Sequence, residues 1–351
     1  MGVPLWRKGP IRRRWPNPTE NSMHQPEPSD SPTLDPRKFK NPEHTADGQE
    51  RAGVTFKRLR TLWFNTGTLC NITCKNCYIE SNPHNDRLAY LTRADLHKFL
   101  GELDSPEWDA EEFGFTGGEP FMNPEIIGLL GDSLAGGYRV LVLTNAMRPM
   151  LRHKQGLLAL KAEYGGNLAL RISIDHYGEM PHDVERGAGS WQRMMEGFLW
   201  LAHSGFSLSV AGRTLWHQSE SELRAGYAAL FVKNGIALDA ENPEDLVLFP
   251  EMDAQRDVAE ITRACWGILG VDEASMMCAT SRMVVRRKGA ARAAVVACTL
   301  LPYASAFELG ETLAAATNRP VPLNHPHCAR FCVLGGGACS ATAGEIQHVT
   351  S

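Results

Sequence analysis

No apolar run in the 351-residue sequence approaches the ~18 residues that would span a bilayer. There is no surplus of positive charge either: 36 Lys and Arg stand against 40 Asp and Glu, for a net charge of −4. The first absence argues against a membrane protein, the second against a general nucleic-acid or membrane-surface binder. A secretory signal is missing as well, since Arg12, Arg13 and Arg14 run into Pro16, Pro18 and polar residues where an apolar stretch would be needed. The expectation is a cytoplasmic protein with no nucleic-acid or membrane partner. Cysteine is scarce and odd in number, nine in all, which makes a poor disulfide framework.

Those few cysteines are grouped. Cys70, Cys74 and Cys77 lie within eight residues, in CNITCKNCY; Cys328, Cys332 and Cys339 form a second group; Cys265, Cys278 and Cys298 are spread between. Tight groups in a chain without disulfides point to metal or catalysis.

The first fifty residues hold nine of the 21 prolines and few apolar side chains, so residues 1–52 read as a disordered Pro-rich tail, with Met23 an alternative start. From about Val54 the pattern alternates. LWF (62–64) reads as a strand, and LTRADLHKFLGEL as a helix with Thr92 at the N-cap and Asp95 three residues on. EFGFTGGEP, which ends in glycines, RVLVLTN, LALRISID, LSVAGRT and DLVLF read as five more strands. Between them, helices are expected from Pro124 at N1 to Gly136–Gly137, over 151–164, over SWQRMMEGFLWLAHSG with Gly205 as its stop, and over 220–234. Met194 and Met195 fall at core spacing with Phe198 and Leu199. Six strand–helix steps with short connections imply an α/β fold with a parallel sheet, curled by right-handed crossovers into an open partial (β/α)6 barrel over residues 53–250. Chemistry then belongs at the C-terminal ends of the strands, where the cysteine loop, TGGEP, LTN and SID all occur.

Three neighbouring thiolates admit three readings: packed thiols, a zinc site, or an iron–sulfur cluster. Structural zinc usually draws on two CxxC pairs, and no second pair lies near this loop. Three thiolates would hold three corners of a cubane cluster and leave one iron without a protein ligand, the open position a catalytic centre needs.

C-x3-C-x2-C followed by Tyr78 resembles the radical S-adenosylmethionine (SAM) enzymes. The resemblance implies a 4Fe–4S cluster on Cys70, Cys74 and Cys77. It also implies SAM chelated at the open iron and cleaved reductively to a 5′-deoxyadenosyl radical, which abstracts hydrogen from a substrate. TGGEPF resembles the family's glycine-rich motif, so Gly117, Gly118, Glu119 and Pro120 are implied at the SAM amino group, the glycines because a missing side chain permits close approach. SID, HD, Arg186 and GSW resemble a further family pattern, which implies Ser173, Asp175 and Arg186 near the SAM carboxylate or ribose. His176 stands where the family often has glycine. Thr144, Asn145 and Arg213 end strands on the same face, and Tyr78 is implied at the adenine.

Beyond 250, SRMVVRRKG and AAVVACT read as a β-hairpin turning at Gly289, with Cys278 and Cys298 near its ends. Bringing these toward Cys328, Cys332 and Cys339 offers five thiolates. The arrangement resembles the SPASM or twitch extensions of radical SAM barrels and implies a second, auxiliary 4Fe–4S cluster in residues 251–351. Zinc with His325 or His327 is the alternative there, and Cys265 is a reserve ligand. Arg286, Arg287, Lys288 and Arg292 make the hairpin tip basic, by default a solvated end.

The reading is therefore a radical SAM enzyme served by a reducing partner such as flavodoxin or ferredoxin. The short proline-rich start does not suit a peptide-recognition domain, which favours a small molecule or a carrier-supplied peptide as substrate. The alternative is a non-catalytic iron–sulfur or zinc protein for binding or electron transfer.

Overall fold

All six barrel strands form where the sequence pattern sets them. β1 (Thr61–Asn65), β2 (Glu112–Thr116), β3 (Arg139–Thr144), β4 (Leu168–Ser173), β5 (Ser207–Arg213) and β6 (Leu246–Phe249) pair side by side, all parallel and in sequence order. Residues 32–250 and 252–336 are described in this computed structural model. β1 is buried along its whole length, as expected of a parallel strand covered on both faces. Phe64 packs Phe113 and Phe115 with ring centroids 5.1 and 5.4 Å apart, and Phe99 from the first helix closes on it at 6.5 Å. Each fully buried ring of this kind contributes roughly 2–3 kcal/mol.

Six helices lie in the five connections between these strands, two of them between β4 and β5: α1 (Arg93–Leu103), α2 (Ile126–Ala135), α3 (Lys154–Tyr164), α4 (Glu179–Arg186), α5 (Ser190–His203) and α6 (Glu220–Lys233). The expected cap on α1 is present, Thr92 and Asp95 exchanging side-chain and backbone hydrogen bonds. Met194, Met195 and Phe198 of α5 are core residues. α2 begins two residues later than Pro124, because Asn123 has another task. Its Nδ2 donates to the carbonyls of Thr66 (3.1 Å) and Leu91 (2.8 Å) and its Oδ1 accepts from Glu125 N, tying three loops together. α3 starts at Lys154, after a separate helical turn at Arg148–Leu151.

The C-terminal hairpin is present and is part of the barrel sheet. β7 (Ser281–Val285) lies parallel to β1 on the side away from β2, and β8 (Ala294–Val296) and β9 (Glu308–Gly310) continue antiparallel. The nine strands run β9-β8-β7-β1-β2-β3-β4-β5-β6, so the sheet extends across position 250, and the described residues fall in one compact unit. The basic tip is solvated at Lys288 and Arg292, and each of its cations has an acid beside it. Arg286 pairs with Asp95 at 2.6 Å, Arg287 with Glu308, Lys288 with Asp86 and Arg292 with Glu311 at 3.4 Å. Ala89 N and Lys288 N bond across to Arg286 O and Arg87 O, which ties the segment after the cysteine loop to the hairpin.

Residues 32–52, read from sequence as the end of a tail, lie packed against 253–262 and 323. Arg51 carries the joint: its buried guanidinium meets Glu260 and donates to the carbonyls of Asn41, His44 and Leu323. Glu260 also accepts from Phe39 N and Ala46 N, both at 2.6 Å. Local composition gave no sign of this partner 209 residues away. Residues 1–31 of the expected tail lie outside the described residues, as does Cys339.

Candidate active site and cysteine pockets

Thr116, Thr144, Ser173, Arg213 and Phe249, at the C-terminal ends of five successive strands, line one pocket. A single pocket reached from β2 and β6 alike requires the sheet to curl around it, as a partial barrel does. Cys70, Cys74, Cys77 and Tyr78 line the same pocket, with Gly117, Gly118, Asn145, Asp175 and Arg186. Thus every residue expected at the site from sequence is gathered here except Glu119 and Pro120.

Of these, Glu119 serves as a brace. Glu119 is buried and accepts hydrogen bonds from Thr144 Oγ1 (2.8 Å), Asn145 N (2.9 Å) and Phe121 N (3.2 Å), locking the glycine loop to the end of β3. Burial pushes its carboxyl up to about 7 against those three bonds. The glycines have a second physical reason, the packing of their own loop. A Cβ on Gly118 would stand 2.2 Å from Leu69 O, and one on Gly117, whose φ is +142°, would stand 2.5 Å from Gly67 O. They are glycine because the loop lies against the chain leading to Cys70.

The cysteine loop is held from a direction the sequence did not reveal. Glu185 on α4 accepts from Asn76 N (2.8 Å) and Asn76 Nδ2 (2.9 Å), while its carbonyl accepts from Lys75 N. Arg213 donates through Nη1 to Asn76 O at 3.0 Å and stands 3.6 Å from Glu185. The signal that would have found Glu185 is the helix over EMPHDVER, where Pro181 and the charged residues obscured the periodicity. Asn145 steadies the other end, its Nδ2 donating to Asn71 Oδ1 at 2.9 Å and lying 4.0 Å from Cys70 Sγ.

Arg186 is engaged. Its Nε and Nη2 donate to both oxygens of Asp175 at 2.7 and 2.9 Å, deep in the pocket wall. Burial alone would raise Asp175, but the guanidinium holds it below the usual carboxylate range. The donor left over is Arg213 Nη2, buried and without a hydrogen-bond partner, as is Ser81 Oγ beside Cys77. His176 needs no glycine conformation: its φ is not positive, and its ring accepts from Gly178 N and meets Gln218 at 2.9 Å.

Burial pushes the Cys70 thiol up to about 12, with the Glu119 charge adding to it, and Cys74 up to about 11. Thiols in such surroundings ionise when a cationic group joins them. Three adjacent thiols and two orphaned donors fit a cluster with an anionic ligand. Among the described residues, no group of three His, Cys, Asp or Glu is drawn together tightly enough for a single metal ion.

A second, smaller cavity is lined by Cys278, Cys298, Cys328 and Cys332. Four of the five expected thiols thus meet, although Cys278 and Cys332 are 54 positions apart in the sequence, on a short helical turn before β7 and in the Cys328–Val333 helix. Met277, Leu301, Phe307 and Leu323 supply the remaining wall, and His327 reaches it with a buried Nδ1 that has no partner. Burial pushes Cys278 up to about 11 and raises Cys328 well above the thiol range, with the Cys298 and Cys278 charges adding to the latter. Cys265 is elsewhere, 3.3 Å from Thr262 Oγ1, and does not line this cavity.

Residues 64–225 match the Radical SAM superfamily model. The antilisterial bacteriocin subtilosin biosynthesis protein AlbA of Bacillus subtilis (strain 168) is 29% identical over 195 residues, 53% of this chain and 41% of AlbA. Among solved structures, Streptococcus suis SuiB bound to precursor peptide SuiA has a TM-score of 0.55 at 12% identity, covering 75% of this chain and 65% of SuiB. The structure of anSMEcpe with bound AdoMet has a TM-score of 0.53 at 13% identity, over 75% and 78% of the two chains. The chain spans less than two thirds of the length of AlbA and of SuiB, and at these identities the solved structures share the fold.

Proposed function

We propose that the chain, whose residues 64–225 match the Radical SAM superfamily model, is an enzyme that cleaves SAM reductively and abstracts hydrogen from a peptide. The observation that carries this is the single pocket in which Cys70, Cys74 and Cys77 meet the polar ends of four strands and two unpartnered donors, Arg213 Nη2 and Ser81 Oγ. When bound, a 4Fe–4S cluster on the three thiolates and SAM beside it supply the one-electron cleavage and the radical.

The chain's own residues hold and shield. Glu185 and Asn145 fix the two ends of the cysteine loop, so the three sulfurs keep their spacing. Arg213 Nη2 is placed to take the SAM carboxylate, because Arg186 is already committed to Asp175. Ser173 and the backbone at Gly117 and Gly118 face the same space, where the amino group and ribose would lie. Tyr78 and Leu143 give the adenine an apolar neighbour. The outer wall is Phe249, Met252, Leu300 and Phe331, which excludes water from the radical and offers an apolar side chain a place to pack.

A peptide substrate is supported by that apolar wall and by the names of the similar proteins, a bacteriocin biosynthesis protein and an enzyme crystallised with its precursor peptide. The sequence had leaned toward a small molecule or a carrier-supplied peptide. In the second cavity we place an auxiliary 4Fe–4S cluster on Cys278, Cys298, Cys328 and Cys332, a closed set of four thiolates. The test is release of 5′-deoxyadenosine by the reconstituted, reduced protein. No release under dithionite would end the catalytic reading and leave the non-catalytic cluster protein.

A further inference from the structure

Next to the pocket, and sharing no lining residue with it, lies a surface groove whose wall carries Arg148, Arg152, Arg193 and His153 and no acidic residue. Arg148 and Arg152 are exposed and four apart on one helical turn, so they project on the same side. Neither takes part in an ion pair among the described residues. Arg193 is held by the carbonyls of Ala188 and Gly189, which leaves its charge uncompensated. Such a concentration of cations stands out in a chain of net charge −4, where even the basic hairpin tip has an acid for every cation. Phe121, Met122 and Pro149 give the groove an apolar floor.

The groove touches the cysteine loop from behind. Asn71, the neighbour of Cys70, lines it, and Asn71 Nδ2 lies 3.6 Å from Met147 Sδ on the groove wall. The same Asn71 accepts from Asn145 Nδ2, which lies 4.0 Å from Cys70 Sγ. From groove to sulfur there are thus two side-chain contacts. A substrate has to reach the pocket itself, bounded by Phe249, Met252, Leu300 and Phe331, none of which touches the groove.

We propose that this groove is the docking surface for an acidic one-electron carrier protein of the flavodoxin kind, which reduces the group held by Cys70, Cys74 and Cys77. The proposal rests on the function proposed above. The carrier's flavin loses one electron and the cluster gains it; no bond forms or breaks on this chain. A small patch of basic and apolar side chains suits a transient electron-transfer encounter, in which charge steers association and the partner must leave again.

The test uses the full chain carrying Arg148→Glu and Arg152→Glu, titrated calorimetrically with a purified flavodoxin of net negative charge. Affinity is expected to fall at least about tenfold at ~0.05 M salt, with the difference largely erased at ~0.5 M. Cluster bleaching by reduced flavodoxin should slow in parallel, while bleaching and SAM cleavage under dithionite keep the native rate. Arg148→Gln with Arg152→Gln should fall between. Unchanged affinity in the Glu variant, or no binding of flavodoxin by the native chain, overturns the proposal. So do equal losses under flavodoxin and dithionite, which would give the groove to the substrate or to folding. A native chain that binds flavodoxin in this salt-dependent, arginine-dependent way but cleaves no SAM under dithionite would uphold the docking surface and sink the proposed function.

Discussion

The two cysteine sites differ in what surrounds the sulfur. Around Cys70, Cys74 and Cys77 the wall is built of strand ends and includes unpartnered donors, an Asp–Arg pair and glycine backbone. Around Cys278, Cys298, Cys328 and Cys332 it is mostly methionine, leucine and phenylalanine. Three thiols beside polar strand ends and unpartnered donors leave room and partners for a further ligand; four in an apolar cavity complete their own site. Position in the fold agrees. The first group lies at the mouth of the barrel, the second where the hairpin and the last helical turn meet.

Breaking each site separately sharpens the contrast. The largest effect is expected of Cys70→Ala, which should abolish 5′-deoxyadenosine release while roughly half the iron, the auxiliary share, remains. Release by that variant would remove the open-iron account. Cys298→Ala should do the reverse, losing about half the iron and keeping the SAM-binding cluster; unchanged iron would strike Cys298 from the ligands. Arg213→Ala should weaken SAM binding about tenfold, close to the ~1.4 kcal/mol of one charged hydrogen bond. Equal SAM affinity in variant and native protein would hand that contact to another residue.

The smallest effect concerns stability. His182, on α4 behind the first site, is fully buried with neither ring nitrogen partnered, and burial pushes it down to about 4 from 6.5. The folded state then binds fewer protons than the unfolded one between those values, so stability is whole above about 6.5 and falls as pH drops toward 4. From pH 7 to pH 5 this one group should cost about 2 kcal/mol. In the cluster-free chain, His182→Phe, still edge-on to Trp191, should show a flatter decline in melting temperature with acid. An equally steep decline would place the acid sensitivity elsewhere, with His325 and His327 of the C-terminal region the next candidates.

How much could be read in advance follows the range of each interaction. Cysteine spacing, the Thr92 cap and the six strands are local patterns, and all three stand in the structure. So does the gathering of strand-end residues, because a parallel α/β order fixes which ends meet. The rest depends on pairings that no window of sequence contains. β7 joins the sheet beside β1 from 220 positions away, and Arg51 reaches Glu260 to hold residues 32–52. Glu185 clamps the cysteine loop from a helix masked by its own charges. The glycines at 117 and 118 were legible as requirements, but not the contact with the chain at Gly67 and Leu69 that also demands them.

The most direct test of two separate clusters is iron and acid-labile sulfide per chain after anaerobic reconstitution, in the native protein and in a variant with Cys70, Cys74 and Cys77 all changed to Ala. The account predicts about eight irons falling to about four, with sulfide in step. About four falling to none would reduce the second cavity to packed thiols or zinc, and zinc without sulfide in both proteins would contradict the account outright.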